Sequence, residues 1–222
     1  PYQAGVPNTT FNPMLVRWSD QNNEYQWVPD VTNQSGEFAL TNGSYIMGAR
    51  ATRQEILVWT DASLYSLQYL GPPYVWGSQL LGDNLSVISP SSVITANNMV
   101  FWMGADKFYM YSGRVETLPC ALRQYIYDNI NLTEAFQICS GTNEGYNEIW
   151  WFYPSQTGTN ADGSNGSGTA ANPNSLIDRY VIYNHLERTW YYGTMNGAGN
   201  AAYGPVRPRT AWLDSPLRAE PT

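Results

Sequence analysis

The single histidine, His185, and the 18 aspartate and glutamate residues are the side chains that could perform acid–base chemistry. A Ser-His-Asp triad needs a serine nucleophile, and no Gly-x-Ser-x-Gly turn presents one here. His185 lies in Tyr183-Asn184-His185-Leu186-Glu187-Arg188, which is typical of a hairpin turn between strands. Two carboxylates alone could hydrolyse a glycosidic bond, but no pair stands out. We therefore predict no catalytic residue and expect that the protein is not an enzyme.

Residues that could bind a metal or a cofactor are equally sparse. Cys120 and Cys139 form no Cys-x-x-Cys motif, and we expect two reduced, buried thiols, with a disulfide as the alternative. Residues 162–166 resemble the start of a calcium loop but no acidic ligand follows at the right distance. Residues 197–202 match a dinucleotide fingerprint without its strand–turn–helix context. We predict no metal site and no cofactor.

Tryptophan recurs in a short phrase of strand-forming residues. The copies are Trp18, Trp59, Trp102, Trp151 and Trp212, and successive copies are 41, 43, 49 and 61 residues apart. The longest interval contains a low-complexity stretch, and without it the spacing returns to the same period. A repeat of this length made of strands predicts an all-β fold, a β-propeller-like array of small antiparallel sheets.

An aspartate follows four of these tryptophans, at Asp20, Asp61, Asp106 and Asp214. An aspartate just after a strand can accept hydrogen bonds from backbone N–H groups of the turn two residues on. We interpret these residues as structural repeat positions. A shared metal or acid–base site is the alternative, and it is disfavoured because equivalent residues of a propeller are spread around a ring.

Within each repeat, the tryptophan lies on the second of several short strands. In the second repeat we predict strands over 44–50, 55–60 and 63–70, and in the third over 92–95, 99–103 and 107–111, with a turn at Asn97-Asn98. The fourth repeat is expected to contain strands over 136–139, 148–153, 179–183 and 189–193, with a turn at 141–146. The second strands are apolar at nearly every position, which indicates cover on both faces. The third strands alternate more, with Tyr65, Leu67 and Tyr69 on one side, as expected nearer the rim.

Two segments depart from the repeat. Residues 121–130 place Leu122, Tyr125, Ile126 and Ile130 near helical spacing, which predicts a short amphipathic helix packed between two sheets. Residues 155–177 are rich in glycine, serine and asparagine, which predicts a flexible insert loop.

Composition and charge limit the classes of function. Aromatic residues make up 14% of the 222 residues, charged residues only 13%, and the net charge is -7. This balance disfavours stable binding to a phosphate backbone, which needs clustered lysine and arginine. No apolar run reaches the length of a membrane span. We expect residues 1–222 to be a single propeller-like domain or part of a larger propeller, and the start without methionine indicates a processed or partial chain.

Several phrases of the repeats have a specific wording. They are Trp59-Thr60-Asp61-Ala62-Ser63-Leu64-Tyr65-Ser66-Leu67-Gln68-Tyr69-Leu70-Gly71-Pro72-Pro73, Phe101-Trp102-Met103-Gly104 with Phe108-Tyr109, Leu118-Pro119-Cys120, Glu148-Ile149-Trp150-Trp151-Phe152-Tyr153-Pro154, and Arg209-Thr210-Ala211-Trp212. These phrases resemble those of the tail-nozzle, or tail-hub, proteins of short-tailed bacteriophages. The match runs in order from about Val16 to Asp214, which is nearly the whole chain.

The resemblance implies a structural protein of the virion, assembled in the host cytoplasm. It implies a homo-oligomer of six copies below the portal and adaptor rings, with tail-fibre proteins as further partners. Genomic DNA would pass through the channel without specific binding, and no catalytic residues are carried over. The alternatives are a carbohydrate- or receptor-binding propeller and, less favoured, a glycosidase or lyase propeller.

Overall fold

The structure is a computed structural model of the chain, and it describes residues 11–156, 177–195 and Trp212. The chain divides into two compact units, Pro1–Ser86 and Val87–Thr222. The described residues form four small antiparallel sheets, so the fold is all-β, as the repeat predicted. The expected insert loop at 155–177 falls mainly on residues outside the described ranges. None of the helices in the described ranges has the length and apolar character that a membrane crossing requires.

The first unit contains one two-stranded and one four-stranded sheet. The smaller sheet pairs β1 (Leu15–Trp18) with β2 (Gly36–Ala39). The larger sheet has its strands in sequence order: β3 (Ile46–Ala51), β4 (Ile56–Thr60), β5 (Ser63–Gly71) and β6 (Val75–Asp83). Its core joins both sheets, because Met14 and Leu40 pack with Val58, Tyr65 and Leu67.

The second unit contains two four-stranded sheets joined by a short helix. The first sheet consists of β7 (Val93–Ala96), β8 (Met99–Met103), β9 (Phe108–Tyr111) and β10 (Val115–Leu118). The helix α1 (Arg123–Tyr127) follows it. The second sheet consists of β11 (Cys139–Asn143), β12 (Glu148–Tyr153), β13 (Arg179–Asn184) and β14 (Thr189–Thr194). In both sheets consecutive strands are neighbours, which is the up-and-down order of a propeller blade.

The two sheets of this unit share one apolar core. Phe101, Met103 and Phe108 of the first sheet pack in one buried cluster with Trp151 and Val181 of the second. Phe108 and Trp151 have ring centroids 5.0 Å apart. The inner strands are apolar on both faces, so they suit a position in which other strands flank them and another layer covers them.

The hairpin turns follow from local sequence. Asn97 and Asn98 join β7 to β8 and both have positive φ, 48° and 62°. Two consecutive positive φ angles are what a two-residue type I′ hairpin turn requires, and asparagine tolerates them better than most residues. The predicted turn at this position is therefore confirmed.

The fourth repeat differs from the prediction at its first strand. A strand was predicted over 136–139, but residues Leu132–Gln137 form 3₁₀ turns and the strand runs over Cys139–Asn143. The Asn131 side chain accepts a hydrogen bond from the Thr133 N–H, at 3.1 Å, and this cap starts the 3₁₀ segment. The turn predicted over 141–146 begins later than expected, because residues 141–143 still belong to β11 and only Glu144–Tyr146 of that range lie outside it.

Three further strands, β2, β6 and β10, and one burial pattern were not anticipated. β6 and β10 form outer strands of their sheets, and polar residues and glycines weaken their apolar pattern. On β5, Ser63–Leu67 are all buried and Gln68–Leu70 are all exposed, so the predicted alternation between two sides is wrong. The reason is that β6 covers the edge of β5, which makes β5 an inner strand.

The helix is confirmed but shorter than the predicted segment 121–130. Ile126 is fully buried in the core of the second unit, and Leu122 and Tyr127 pack against the same core. Tyr125, expected on the apolar face, is exposed. Its ring lies 4.9 Å from that of Tyr192, and its hydroxyl accepts a hydrogen bond from Arg179 at 2.7 Å.

Candidate functional site

Three of the repeated tryptophans occupy equivalent positions. Trp59, Trp102 and Trp151 are each the fourth residue of the second strand of a four-stranded sheet, on β4, β8 and β12. All three side chains are 0% exposed. A side chain of this size that is wholly removed from water contributes to the core, not to a binding surface.

The other two tryptophans lie in different settings. Trp18 ends β1 of the two-stranded sheet, is partly exposed, and donates a hydrogen bond from Nε1 to the Gln34 carbonyl at 2.8 Å. Trp212 lies outside any strand. Its ring is stacked on Trp150, with centroids 5.3 Å apart, and its Nε1 donates to the Thr142 carbonyl at 2.6 Å. Trp212 therefore covers the face of the sheet β11–β14 that Trp150 presents.

The aspartates of the first unit bind backbone groups that are distant in sequence. Asp20 accepts a hydrogen bond from the Gln34 N–H at 2.7 Å. Asp61 accepts from the N–H groups of Ser44, at 2.6 Å, and Tyr45, at 3.4 Å. The bond from the Ser44 backbone holds the pKa of Asp61 below its usual value. The expectation that these carboxylates bind their own turns is wrong, because the donors lie in the segments that precede neighbouring strands.

Asp106 of the second unit has a third arrangement. Its carboxylate pairs with Arg123 at 3.0 Å and with Lys107 at 3.7 Å, and all three side chains are exposed. The backbone carbonyl of Asp106 also accepts a hydrogen bond from Arg123 Nε at 2.6 Å. Asp214 lies outside the described residues. Over the described ranges, no group of three or more His, Cys, Asp or Glu residues is arranged to hold a metal ion.

His185 lies in the connection between β13 and β14, where a hairpin turn was predicted. Its backbone N–H donates to the Asn147 carbonyl at 3.0 Å. Two side chains lie beside the imidazole ring of His185. Its Nε2 is 3.5 Å from Nδ2 of Asn97, and the ring centroids of His185 and Phe101 are 6.0 Å apart. Partial burial lowers the pKa of His185, so the neutral ring is favoured at neutral pH.

Both cysteines carry free thiols, as expected, but neither is fully buried, so the expected burial is wrong. Cys120 precedes α1 and Cys139 begins β11, and each is half-buried. Burial raises the pKa of Cys120 to about 11 and also raises the pKa of Cys139. Protonated thiols are weak nucleophiles, so this environment does not activate either residue.

Asp178 is a buried carboxylate that the sequence pattern did not reveal. It is 2% exposed and accepts hydrogen bonds from the N–H of Ser155, at 2.7 Å, and from its hydroxyl, at 2.6 Å. Residues 155 and 178 flank the low-complexity segment, so these bonds hold its two ends together. The sequence signal that could have indicated this contact is a serine at one border of the segment and an aspartate at the other.

An open pocket of about 440 Å³ lies beside α1, and its lining includes Asp106, Cys120, Arg123 and Tyr127. The Tyr127 hydroxyl lies 3.1 Å from the Gly104 carbonyl and 3.0 Å from the Lys107 carbonyl, and burial raises the pKa of this phenol. Tyr127 thus anchors the helix to the turn between β8 and β9. Two ionic groups of the pocket, Asp106 and Arg123, pair with each other, which favours a structural role for this arrangement.

No protein-family model matches the chain, and no curated protein sequence matches it significantly. The phrases that resemble tail-hub proteins can be placed on the structure: those around Trp59, Trp102 and Trp151 fall on β4 with β5, on β8 with β9, and on β12. These three phrases lie on inner strands, whereas Leu118-Pro119-Cys120 begins at the last residue of the outer strand β10.

Proposed function

We propose that this chain is a structural protein of a bacteriophage tail, a component of the nozzle or hub. Copies of the chain would form a ring, six in number as the family resemblance implies, around the channel through which genomic DNA leaves. Portal, adaptor and tail-fibre proteins would be its partners in the virion. Its role would be mechanical, without catalytic chemistry or a cofactor.

The observation that supports the proposal is the order of the tail-hub phrases along the chain. The phrases around Trp59, Trp102 and Trp151 correspond to inner strands, and these strands recur at the same place in successive sheets. Agreement between a repeated phrase and a repeated structural unit favours relatedness over chance similarity of aromatic-rich strands. No single phrase carries this weight.

The dense aromatic core is a second support. Phe108 packs on Trp190, with ring centroids 4.8 Å apart, and Trp190 packs on Tyr183 at 4.6 Å. Interlocked rings resist deformation, because close-packed side chains have few alternative arrangements. A wall that contains DNA under pressure needs such stiffness.

Exposed apolar side chains support an oligomer. In the first unit Tyr25 and Val31 are largely or fully exposed, and in the second unit Phe136 and Leu186 are exposed. The loop that carries Tyr25 and Val31 is internally hydrogen-bonded, for example from Asp20 N–H to the Gln26 carbonyl at 2.9 Å. Exposed apolar residues on an ordered loop suit contacts between subunits, because such contacts remove the apolar surface from water.

Native mass spectrometry and negative-stain electron microscopy of the purified chain test the proposal. We expect a closed ring at micromolar concentration. Val31→Asp and Leu186→Asp should weaken it, because each would place a charge at an apolar subunit contact. Ser78→Asp, which adds the same charge at an exposed polar position, is the control and should leave the ring intact. A monomer at all accessible concentrations would contradict the proposal.

A further inference from the structure

The first unit contains an open pocket with aromatic walls and uncharged polar groups. Its volume is about 350 Å³, within the range of roughly 300–1,000 Å³ for small-molecule sites. It is lined by Trp18 and Ser19 at the end of β1, by Gln21 and Gln34 from the β1–β2 connection, and by Tyr69 and Trp76 from the β5–β6 hairpin. No established or proposed role of the chain uses this pocket.

The aromatic walls are held in place before any ligand binds. The rings of Tyr69 and Trp76 meet edge to face, with centroids 5.6 Å apart and an interplanar angle of 72°. Trp18 is held by its hydrogen bond to the Gln34 carbonyl and by the ring of Phe38 at 5.6 Å. Gly36 leaves room for the Trp18 ring, since a Cβ at that position would overlap it. These constraints reduce the entropy that binding would cost.

The polar groups of the pocket are free to bind a ligand. Five polar side-chain groups of the pocket have no hydrogen-bond partner among the described residues. They are the Ser19 hydroxyl, the amides of Gln21 and Gln34, the Tyr69 hydroxyl and the Trp76 indole N–H. The backbone of Gln34 is nevertheless fixed, because its N–H donates to Asp20 and its carbonyl accepts from Trp18. The pocket therefore offers positioned donors and acceptors together with apolar ring faces.

Val75, which also lines the pocket, is strained. Its φ is +57°, a conformation that is rare for a β-branched residue, and its side chain is buried. Val75 immediately precedes Trp76, so this conformation sets the direction in which the Trp76 ring leaves the hairpin. Backbone strain of this kind is found more often at ligand sites than elsewhere.

We propose that this pocket binds a neutral saccharide through one or two pyranose rings. No charged side chain lines it in the part of the chain that the structure describes, so a neutral ligand is favoured over a phosphate or a carboxylate. The C–H face of a sugar ring packs on an aromatic ring, and each glutamine amide can both donate to and accept from neighbouring hydroxyls.

A proline-rich peptide is the other ligand that binds aromatic grooves. Its proline rings would pack on Tyr69 and Trp76. They would also bury the two glutamine amides while offering them few hydrogen-bond partners. Unpaired buried amides are costly, so the observed polar groups favour the saccharide. The inference does not depend on ring assembly and would stand for a monomeric chain.

The test is binding of the full chain to an array of neutral oligosaccharides of glucose, galactose and N-acetylhexosamines, followed by calorimetric titration of the best probe. Tyr69→Ala and Gln34→Ala should each weaken binding about tenfold or more, because each removes a stacking face or a hydrogen-bonding amide. Tyr74→Ala is the matched control. Tyr74 is 75% exposed, Tyr69 is 57% exposed, and both lie on the same hairpin, but Tyr74 is outside the pocket.

Gln34→Glu tests the same site without shortening a side chain, so it remains informative if an alanine variant fails to fold. It keeps the length of the side chain and adds a charge to the pocket. Circular dichroism checks that each variant is folded. Weakened binding by Gln34→Glu, with Tyr74→Ala unchanged, supports the site. The proposal is overturned if no neutral oligosaccharide binds, if binding is unchanged in Tyr69→Ala and Gln34→Glu, or if a proline-rich decapeptide binds there and the sugars do not.

Discussion

Trp151 combines apolar packing with a specific hydrogen bond in the core of the second unit. Its ring lies 5.0 Å from that of Phe108 and is stacked on Trp190 at 6.2 Å. Its Nε1 donates to the Ser92 carbonyl at 2.9 Å, so it ties β12 to the residue that precedes β7. The side chain therefore joins two sheets in two physically different ways, which can be separated by substitution.

Trp151→Ala should lower the free energy of unfolding by about 3–5 kcal/mol, because it leaves a large cavity. Trp151→Phe should cost about 1–2 kcal/mol, since it keeps a ring but leaves the Ser92 carbonyl without this donor. Urea unfolding followed by circular dichroism measures both. Tyr191→Ala, at a half-exposed ring of β14, is the control and should change stability little. A loss below about 1 kcal/mol for Trp151→Ala would contradict the assigned burial.

The cysteines provide a pH-dependent prediction at the same scale. With the pKa of Cys120 raised to about 11, its thiolate at pH 8 should be about a hundredfold rarer than for an ordinary thiol. Iodoacetamide should therefore label native Cys120 slowly, and the rate should rise as the pH approaches 11. Peptide mass spectrometry gives the rate for each cysteine, and the urea-unfolded chain is the reference. Equal rates in the folded and unfolded chains would show that the site is not protected.

At the scale of elements, the sheet β11–β14 is covered on its second face by Trp212. This residue stacks on Trp150, and its ring lies 5.3 Å from that of Phe152. Gly141 on β11 permits the contact, since a Cβ there would overlap the Trp212 ring. The glycine and the tryptophan are therefore coupled although 71 positions separate them in the chain.

Gly141→Ala and Trp212→Ala should each lower the melting temperature, and their effects should not add. Once Trp212 is absent, a methyl group at position 141 has nothing to displace, so the double variant should be about as stable as Trp212→Ala alone. Differential scanning calorimetry of the four proteins of this cycle measures the coupling. Gly145→Ala, at a position without such an approach, is the control. Additive losses would show that the contact does not constrain the sheet.

At the scale of the whole molecule, the charge of the chain is the property that bears on the proposed DNA channel. The net charge of -7 repels phosphate, and a repelling wall would let DNA pass without adhering to it. This account rests on the proposed function, and it makes a prediction that can be tested with the isolated protein.

The unmodified chain should not retard duplex DNA in a mobility-shift assay at about 0.15 M salt. The triple variant Glu24→Lys, Asp128→Lys and Glu187→Lys changes three exposed acids and brings the net charge to -1, and it should gain weak, salt-sensitive DNA binding. The matched glutamine triple, with net charge -4, should not bind. Tight binding by the unmodified chain would contradict the account, and so would DNA ejection that is unchanged when channel-lining acids are reversed to lysine.

The repeat of small sheets was predictable from the sequence for a local reason. A strand covered on both faces must be apolar at consecutive positions, so β4, β8 and β12 are visible as apolar runs that contain Trp59, Trp102 and Trp151. The turn at Asn97-Asn98 was equally local, because two positive φ angles restrict the residue types that a turn accepts.

Only the tertiary structure decided which distant groups meet. The donors to Asp61 precede β3, the ring beneath Trp212 is that of Trp150, and the acceptor of Trp151 is Ser92, 59 positions away. The saccharide pocket likewise needs side chains from the β1–β2 connection and from the β5–β6 hairpin. Such contacts depend on how complete sheets pack, and packing is set by the summed shape of many side chains, which no local pattern in the sequence encodes.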